Sequence, residues 1–440
     1  MTDSPRFRIE WEWEAAPSMR SAELRSTFAR LKIHIDDECL TLVEDRESGS
    51  SRRAIACSLY PLAEWVAYNW WFLQTDSRPA SSLVALRSGR ELSPNEQRRW
   101  RRHALRDAGD GFLWPNLFIV PIGASTTLLW RSDKAASKAR PIRFLTQGEV
   151  SVDSAEVQQV FGNLIEAVIE RLVDCGIESS RLSEEWSAIQ SADPEEKEYC
   201  RAAARLGLDP YSEAAKYEDA ILRASTELEQ GLLNEFLSVA NPDKILDDLD
   251  WIARARQEMA SLSSPNTTLA DLRGDVLASR RGVHPMAPWE QGYSDARALR
   301  ETIGINPTER FTFDGYLSRR IVDAPDRSLH AIGGGRSLTS SVVLGRRQLE
   351  DSERFTLARA FWNLLHRPDE QFLITPAHSA RQKTERAFAA ELLAPAEGVA
   401  QLIGNDPSDI GVDELESAER HFGVSSLIIQ YQIDNQLTSA

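Results

Sequence analysis

The chain has 440 residues, is 42% hydrophobic and 27% charged, and carries a formal net charge of −16, the size and composition of a soluble protein with two or three cores. No run approaches the roughly 18 apolar residues of a membrane span. The opening MTDSPRFRIEWEWE is charged where a signal peptide needs an apolar core, and Cys39, Cys57, Cys175 and Cys200 form no CxxC pair, so a membrane, secreted or disulfide-framed protein is not expected and a cytoplasmic one is.

Charge and aromatic content divide the chain. Residues 1–150 hold 22 Lys+Arg and 19 Asp+Glu, against 29 and 48 in 151–440, and eight of the twelve Trp precede residue 131. An acidic body repels nucleic acid, so any such contact falls to the N-terminal part. Within it, Phe7, Ile9, Trp11 and Trp13 alternate with charged residues and predict a half-buried strand over 6–14. A helix is predicted over 19–31, with Leu24, Phe28 and Leu31 on one face. Short strands at 40–43 and 54–59, helices at 61–73 and 95–106, and strands at 117–121 and 126–130 complete an α+β segment, 1–150. The basic stretch 134–146 reads as a linker. From 154 to 259 the spacing is helical, beginning with Val157, Val160, Leu164, Val168 and Leu172, so 151–288 reads as a helical middle that ends in a Ser/Pro/Gly-richer linker, 261–288. The last segment, 289–440, predicts a helix at 293–299, strands at 311–320 and 340–344 with a Gly333-Gly334-Gly335 turn between them, and helices at 352–366, 381–395, 412–422 and 425–437. The fold class is multidomain α+β.

One helix of that segment reads Arg354-Phe355-Thr356-Leu357-Ala358-Arg359-Ala360-Phe361-Trp362-Asn363-Leu364-Leu365. Downstream stand Phe388-Ala389-Ala390-Glu391-Leu392-Leu393-Ala394-Pro395 and Ala418-Glu419-Arg420-His421-Phe422-Gly423-Val424-Ser425. In this order they resemble the ImmA/IrrE family of zinc metallopeptidases, whose first signature is Arg-Phe-Thr-Leu-Ala-His-Glu-Leu-Gly-His-Leu-Leu and whose second is Phe-Ala-Ala-x-Leu-Leu-Met-Pro. The likeness spans roughly 289–437 and implies a zincin-like domain. In such a helix two His four residues apart share a face and bind zinc, and the intervening Glu is general base on the metal-bound water. Here Arg359 and Asn363 stand at the His positions and Ala360 at the Glu position. The family's third ligand, an acid shortly before the second segment, corresponds to Gln382 or Thr384. Glu385 is close in sequence, but one residue is about 100° of helix rotation. All four chemical roles are vacant, so no catalytic residue, metal or cofactor is expected.

The resemblance therefore implies a catalytically inactive peptidase homologue, a protein-binding regulator in prokaryotic stress response, mobile-element control or phage defence. Arg359 either pairs with Glu385 or Glu391 and stabilises the helix pair, or belongs with Trp362, His366 and Glu385 to a peptide-binding groove. The polar stripe Thr356, Arg359, Asn363 and His366 is expected to face that groove, and Trp362 fills the family's small Gly position. The alternatives are an active metallo-endopeptidase with unorthodox ligands, drawn from His366, His378 and Glu385, and a nucleic-acid-binding protein acting through its basic helix. In that helix Arg98, Arg99, Arg101 and Arg102 flank Trp100 and read either as a nucleic-acid or acidic-partner contact or as a solvated face. The turn-like 202–211 (AAARLGLDPY) is followed by too few bases to read DNA.

Overall fold

The computed structural model describes residues 6–80, 82–83, 92–134, 140–263, 269–278, 287–334, 340–403 and 411–438. The protein is mixed α+β, with several small sheets and many helices, and divides into two compact units, Met1–Lys216 and Tyr217–Ala440.

In the first unit the alternating N-terminal segment forms β1 (Phe7–Trp13), antiparallel to β2 (Phe28–Ile35) with Phe7 opposite Ile35. β2 also pairs with β3 (Glu38–Cys39) and β6 (Ile55–Ser58). Phe7 is buried, with Ile9, Trp11 and Trp13 packed partly against the same core. The helix expected over 19–31 is instead the five-residue α1 (Ala22–Ser26), followed at once by β2. Leu24, Phe28 and Leu31 match helical spacing, but Ala29, Leu31, Ile33 and Ile35 match period two, and pairing with β1 and β6 on both sides favours the strand. A second sheet orders β5 (Ser51–Arg52), β4 (Val43–Asp45) and β9 (Ile142–Phe144). β9 lies within the expected 134–146 linker, of which 135–139 are outside the described residues. β7 (Asn116–Ile122), β8 (Ser125–Arg131) and β10 (Gly148–Asp153) form the third, order β10-β8-β7.

Around these sheets lie α2 (Tyr60–Tyr68), α3 (Trp70–Thr75), α4 (Pro94–Arg101), α5 (Ser154–Asp174), α6 (Arg181–Ser191) and α7 (Pro194–Arg205). The apolar stripe of α5 (Val157, Phe161, Leu164, Ile165, Val168 and Leu172) enters the same core as Phe7, Leu31 and Trp114. The helices read as a middle segment, 151–288, are thus divided: α5, α6 and α7 fall in the first unit, whereas α8 (Glu218–Glu227), α9 (Gln230–Leu237) and α10 (Ile245–Ala260) fall in the second.

Among the described residues the second unit has one sheet, order β11-β13-β12-β14, from β11 (Ser318–Ile321), β12 (Ala331–Gly334), β13 (Ser341–Leu344) and β14 (Gln371–Ile374). Only β11 and β13 are parallel. Gly333 and Gly334 belong to β12 and not to a turn, and Gly335 lies outside the described residues. Of the strand expected over 311–320 only the end is extended; Phe311 and Phe313 instead pack around Phe361. The helices are α11 (Leu269–Ala278), within the expected 261–288 linker, α12 (Pro288–Thr302), α13 (Glu350–His366), α14 (Ala380–Leu393), α15 (Ala396–Ile403), α16 (Val412–Phe422) and α17 (Ser426–Gln432). The rest of that linker, 264–268 and 279–286, is outside the described residues. α12 crosses α14 at Gly292, where any Cβ would collide with the Thr384 carbonyl and with Ala387; only glycine allows that approach. Among the described residues no helix is long and apolar enough to cross a membrane.

Candidate functional site

α13 is buried along most of its length, from Thr356 to Leu365. A helix enclosed on all sides must find partners inside the protein for each polar side chain it carries. Arg354 opens the motif and donates to the carbonyls of Phe311 (2.9 Å), Gly423 (3.1 Å) and Phe422 (3.3 Å), fastening α13 to the end of α16. Burial pushes its guanidinium down to about 10.

One turn on, Arg359 and Asn363 meet a single carboxylate. Arg359 Nη2 and Nε donate to Glu385 Oε1 at 2.6 and 3.1 Å, and Nη2 also donates to the Thr375 carbonyl at 2.8 Å. Asn363 Nδ2 donates to Glu385 Oε2 at 2.6 Å and to the Arg359 carbonyl at 3.0 Å. All three side chains are buried, Glu385 completely. Burial lowers the Arg359 pKa and Glu385 opposes that shift. The pairing expected with Glu385 or Glu391 is thus made with Glu385. Glu391 is engaged elsewhere, accepting from Arg297 (2.8 Å), Gln432 (2.7 Å) and Gln436 (2.8 Å).

The network continues. Arg381 donates to Asn363 Oδ1 at 3.0 Å and pairs with Glu235 of α9 at 2.8 Å. Glu235 also takes Arg367 (3.3 Å) and the Leu373 N–H (3.0 Å). Burial raises its carboxyl pKa against the pull of Arg381. Arg359, Glu385, Asn363, Arg381, Glu235 and Arg367 therefore link α13, α14, α9 and β14. The i,i+4 spacing of Arg381 to Glu385 suggests a pair between them, but Arg381 bonds Asn363 and Glu235 instead. Glu235 could not be suspected from the sequence, because no local signal joins it to residues about 130 positions away.

Chemically the arrangement is closed. Both Glu385 oxygens are taken, the Asn363 amide uses its donor and acceptor sides, and a guanidinium has no lone pair to offer a metal. Ala360 is buried and has no functional group. The stripe does not line a groove: Thr356 bonds Gln348 and the Ser352 carbonyl, Arg359 and Asn363 face α14, and His366 turns to α12. There Asp295, missed in the sequence, accepts from Trp362 Nε1 (2.9 Å) and Gln291 (2.7 Å). His366 lies against the Trp362 ring with Nε2 3.2 Å from Asp295, but off the hydrogen-bond direction, so neither ring nitrogen is bonded. Of the binding residues read from the sequence, Arg359, Trp362 and Glu385 are thus buried and hydrogen-bonded inside the protein, and His366, part-buried, packs on the Trp362 ring. His378 sits in the loop before α14; it forms no metal-sized group with His366 and Glu385, nor do any three His, Cys, Asp or Glu among the described residues.

In the first unit the basic run splits. Ser93 and Glu96 form a capping box that starts α4, and Trp100 turns inward, edge-on to Phe118 at 4.9 Å. Arg98, Arg99 and Arg101 are exposed. Arg102 is drawn back: it stacks over Phe72 at 4.1 Å, donates to the Gly207 carbonyl at 2.8 Å and pairs with Glu213 at 3.1 Å.

Set beside family models, curated proteins and solved structures, the chain matches none of them.

Proposed function

We propose that residues 289–440, within the second unit, form a zincin-like, ImmA/IrrE-like domain that has exchanged metal chemistry for an internal ion pair, and that the protein regulates by binding another protein and not by cutting it. One observation carries this reading: Arg359 and Asn363, at the two positions where the resembling motif has its histidines, both bond Glu385 of the neighbouring helix. Zinc does not fit these residues. The positive guanidinium stands where the ion's charge would be, and the carboxylate beside it already accepts three hydrogen bonds, two on Oε1 and one on Oε2. The same contact supports a structural substitution, since an ion that bridges two helices has been replaced by a bridge made of protein. The settings implied by the resemblance, stress response, mobile-element control or phage defence in prokaryotes, follow as part of the proposal.

The test is metal content together with the fate of a captured partner. The purified protein should carry well under one zinc per chain, and a partner retained from a lysate of the native host should stay intact with or without added zinc. About one zinc per chain, or partner cleavage that a chelator stops, overturns the reading in favour of a metallopeptidase with other ligands. The exposed Arg98, Arg99 and Arg101 favour a second contact, with an anionic surface such as nucleic acid. A salt-dependent gel shift abolished by neutralising these three would establish it.

A further inference from the structure

The sheet of the second unit ends in a cationic cluster that the reading above does not use. Ala331 of β12 faces Leu344 of β13 and Ile374 of β14, so the next residues at that end are His330, Gly345 and Thr375. The ladder continues to them: the Gly345 N–H donates to the His330 carbonyl (2.8 Å) and the His330 N–H to the Ile374 carbonyl (2.9 Å). Arg346 follows directly. Above Thr375 two helices each supply an arginine. Arg359 and Arg386 both donate to its carbonyl, at 2.8 and 3.2 Å, and Arg386 also to Ala377 at 2.7 Å. Three adjacent strand ends and two helices thus gather His330, Arg346, Arg359 and Arg386.

Charge does not balance there. Arg359 has Glu385, which takes three hydrogen bonds from Arg359 and Asn363 and also offsets part of the charge of Arg386 without bonding it. Arg346 and Arg386 form no ion pair among the described residues and donate only to backbone carbonyls, Arg346 to that of Asp326 at 3.2 Å. Arg346 Nε and Arg386 Nη1 are buried with no hydrogen-bond partner. The His330 imidazole is pushed down to about 4 by burial and then by Arg359, Arg346 and Arg386, and burial and Arg359 push Arg386 down to about 10. All this lies in a unit with 23 Lys+Arg against 34 Asp+Glu, so the local sign opposes the overall one. Buried N–H groups without acceptors and cations without counter-charge are costly, and an oxyanion held in the guanidinium forks would relieve both.

We propose that this end of the sheet binds a phosphate group, held between Arg346 and Arg386 with His330 beside it. Two unbalanced cations match a dianion, whereas a carboxylate would neutralise only one. The site is independent of the pseudo-peptidase reading, because it requires neither a vacant metal site nor a protein partner.

The test is calorimetric titration of the whole protein with inorganic phosphate and with adenosine monophosphate, in chloride at matched ionic strength. Arg386 also ties down the 375–377 loop, so Arg346→Met, which gives up one carbonyl contact, is the cleaner variant, and its unfolding midpoint is measured to establish that it is folded. Saturable phosphate binding that weakens about tenfold or more in Arg346→Met, from the loss of a charged hydrogen bond, with Lys32→Ala, at an exposed position of β2, unchanged, supports the site. Tighter binding of adenosine monophosphate assigns the anion to a phosphomonoester, and tighter binding of phosphate to the free ion; the site stands in both cases. No phosphate binding above the chloride background, equal binding of acetate, or unaltered affinity in folded Arg346→Met overturns it.

Discussion

Arg359 and Glu385 are an ion pair removed from water, and such a pair is worth most when one half is taken away. Breaking it leaves a buried charge without its counter-ion, at a cost of about 3–5 kcal/mol. Arg359→Ala should therefore lower the unfolding midpoint of the second unit by about 10 °C. Arg359→Met keeps more volume but still strands Glu385, so it recovers only part of the loss. The double change Arg359→Met with Glu385→Leu removes both charges and should be much closer to the parent than either single change, although it leaves the Asn363 amide short of an acceptor. Thermal unfolding of the parent, Arg359→Met, Glu385→Leu and the double variant gives the coupling directly. If the single losses simply add in the double variant, the two side chains act independently and the proposed bridge is wrong.

At the level of elements, α10 carries a second buried charge with a different signature. Asp248 is fully buried and neither of its oxygens reaches a hydrogen bond. Burial, and then the charge of Asp326, push its carboxyl up to about 7, against the nearby Asp326 N–H and Lys244; Asp247 adds to the rise. The folded protein then holds a proton that the unfolded chain, with an ordinary Asp pKa near 3.9, releases. Its contribution to stability is therefore full below about pH 4 and is lost as pH rises to about 7, by up to roughly 4 kcal/mol. His330, pushed down to about 4, works in the opposite direction, gaining stability as pH rises from about 4 to 6.5. The parent should thus show a shallow profile, and the two groups separate by substitution. Asp248→Asn should remove the falling component, so that stability relative to the parent improves steadily from pH 4 to 7. A constant difference between the two proteins across that range would mean that Asp248 does not titrate there.

The elements also show what could be read from residues alone. β1 and α5 carry their period over at least seven residues, and they, β7, β8 and α13 each stand close to where they were expected. β2 was concealed because Leu24, Phe28 and Leu31 fit a helix by coincidence, and partners on both sides decided otherwise. β12 and β14 have four residues each and are buried almost throughout, so they show no alternation. Of the site, the residues alone left Arg359 a choice between Glu385 and Glu391, and packing decides for Glu385. The closure of the site was not legible, since it depends on Arg381, on Glu235 from α9 and on Asp295 from α12, none of which lies within the motif.

For the whole molecule, the position of the boundary is the point on which the two views differ. Composition changes near residue 150, yet the first unit extends to Lys216. The reason is α5, whose Val157, Phe161, Leu164, Ile165, Val168 and Leu172 are buried in the core built by the N-terminal sheets. Burying one such side chain stabilises by about 1.5–3 kcal/mol, so losing six would remove roughly 9–18 kcal/mol. That is comparable to the entire stability of a typical domain, about 5–15 kcal/mol. A fragment of residues 1–150 should therefore aggregate or stay unfolded, while residues 1–216 should give a soluble product with a cooperative thermal transition. The complementary fragment, residues 217–440, retains its own sheet, the Arg359–Glu385 bridge and the link from Glu235 to Arg381, and should also unfold cooperatively. Starting it at 289 would delete α8, α9, α10 and α11 and leave Arg381 and Arg367 without Glu235. Circular dichroism melts of the four fragments decide the matter: cooperative folding of 1–150 and 289–440, with 1–216 and 217–440 behaving no better, would place the boundaries where the composition changes and not where the cores close.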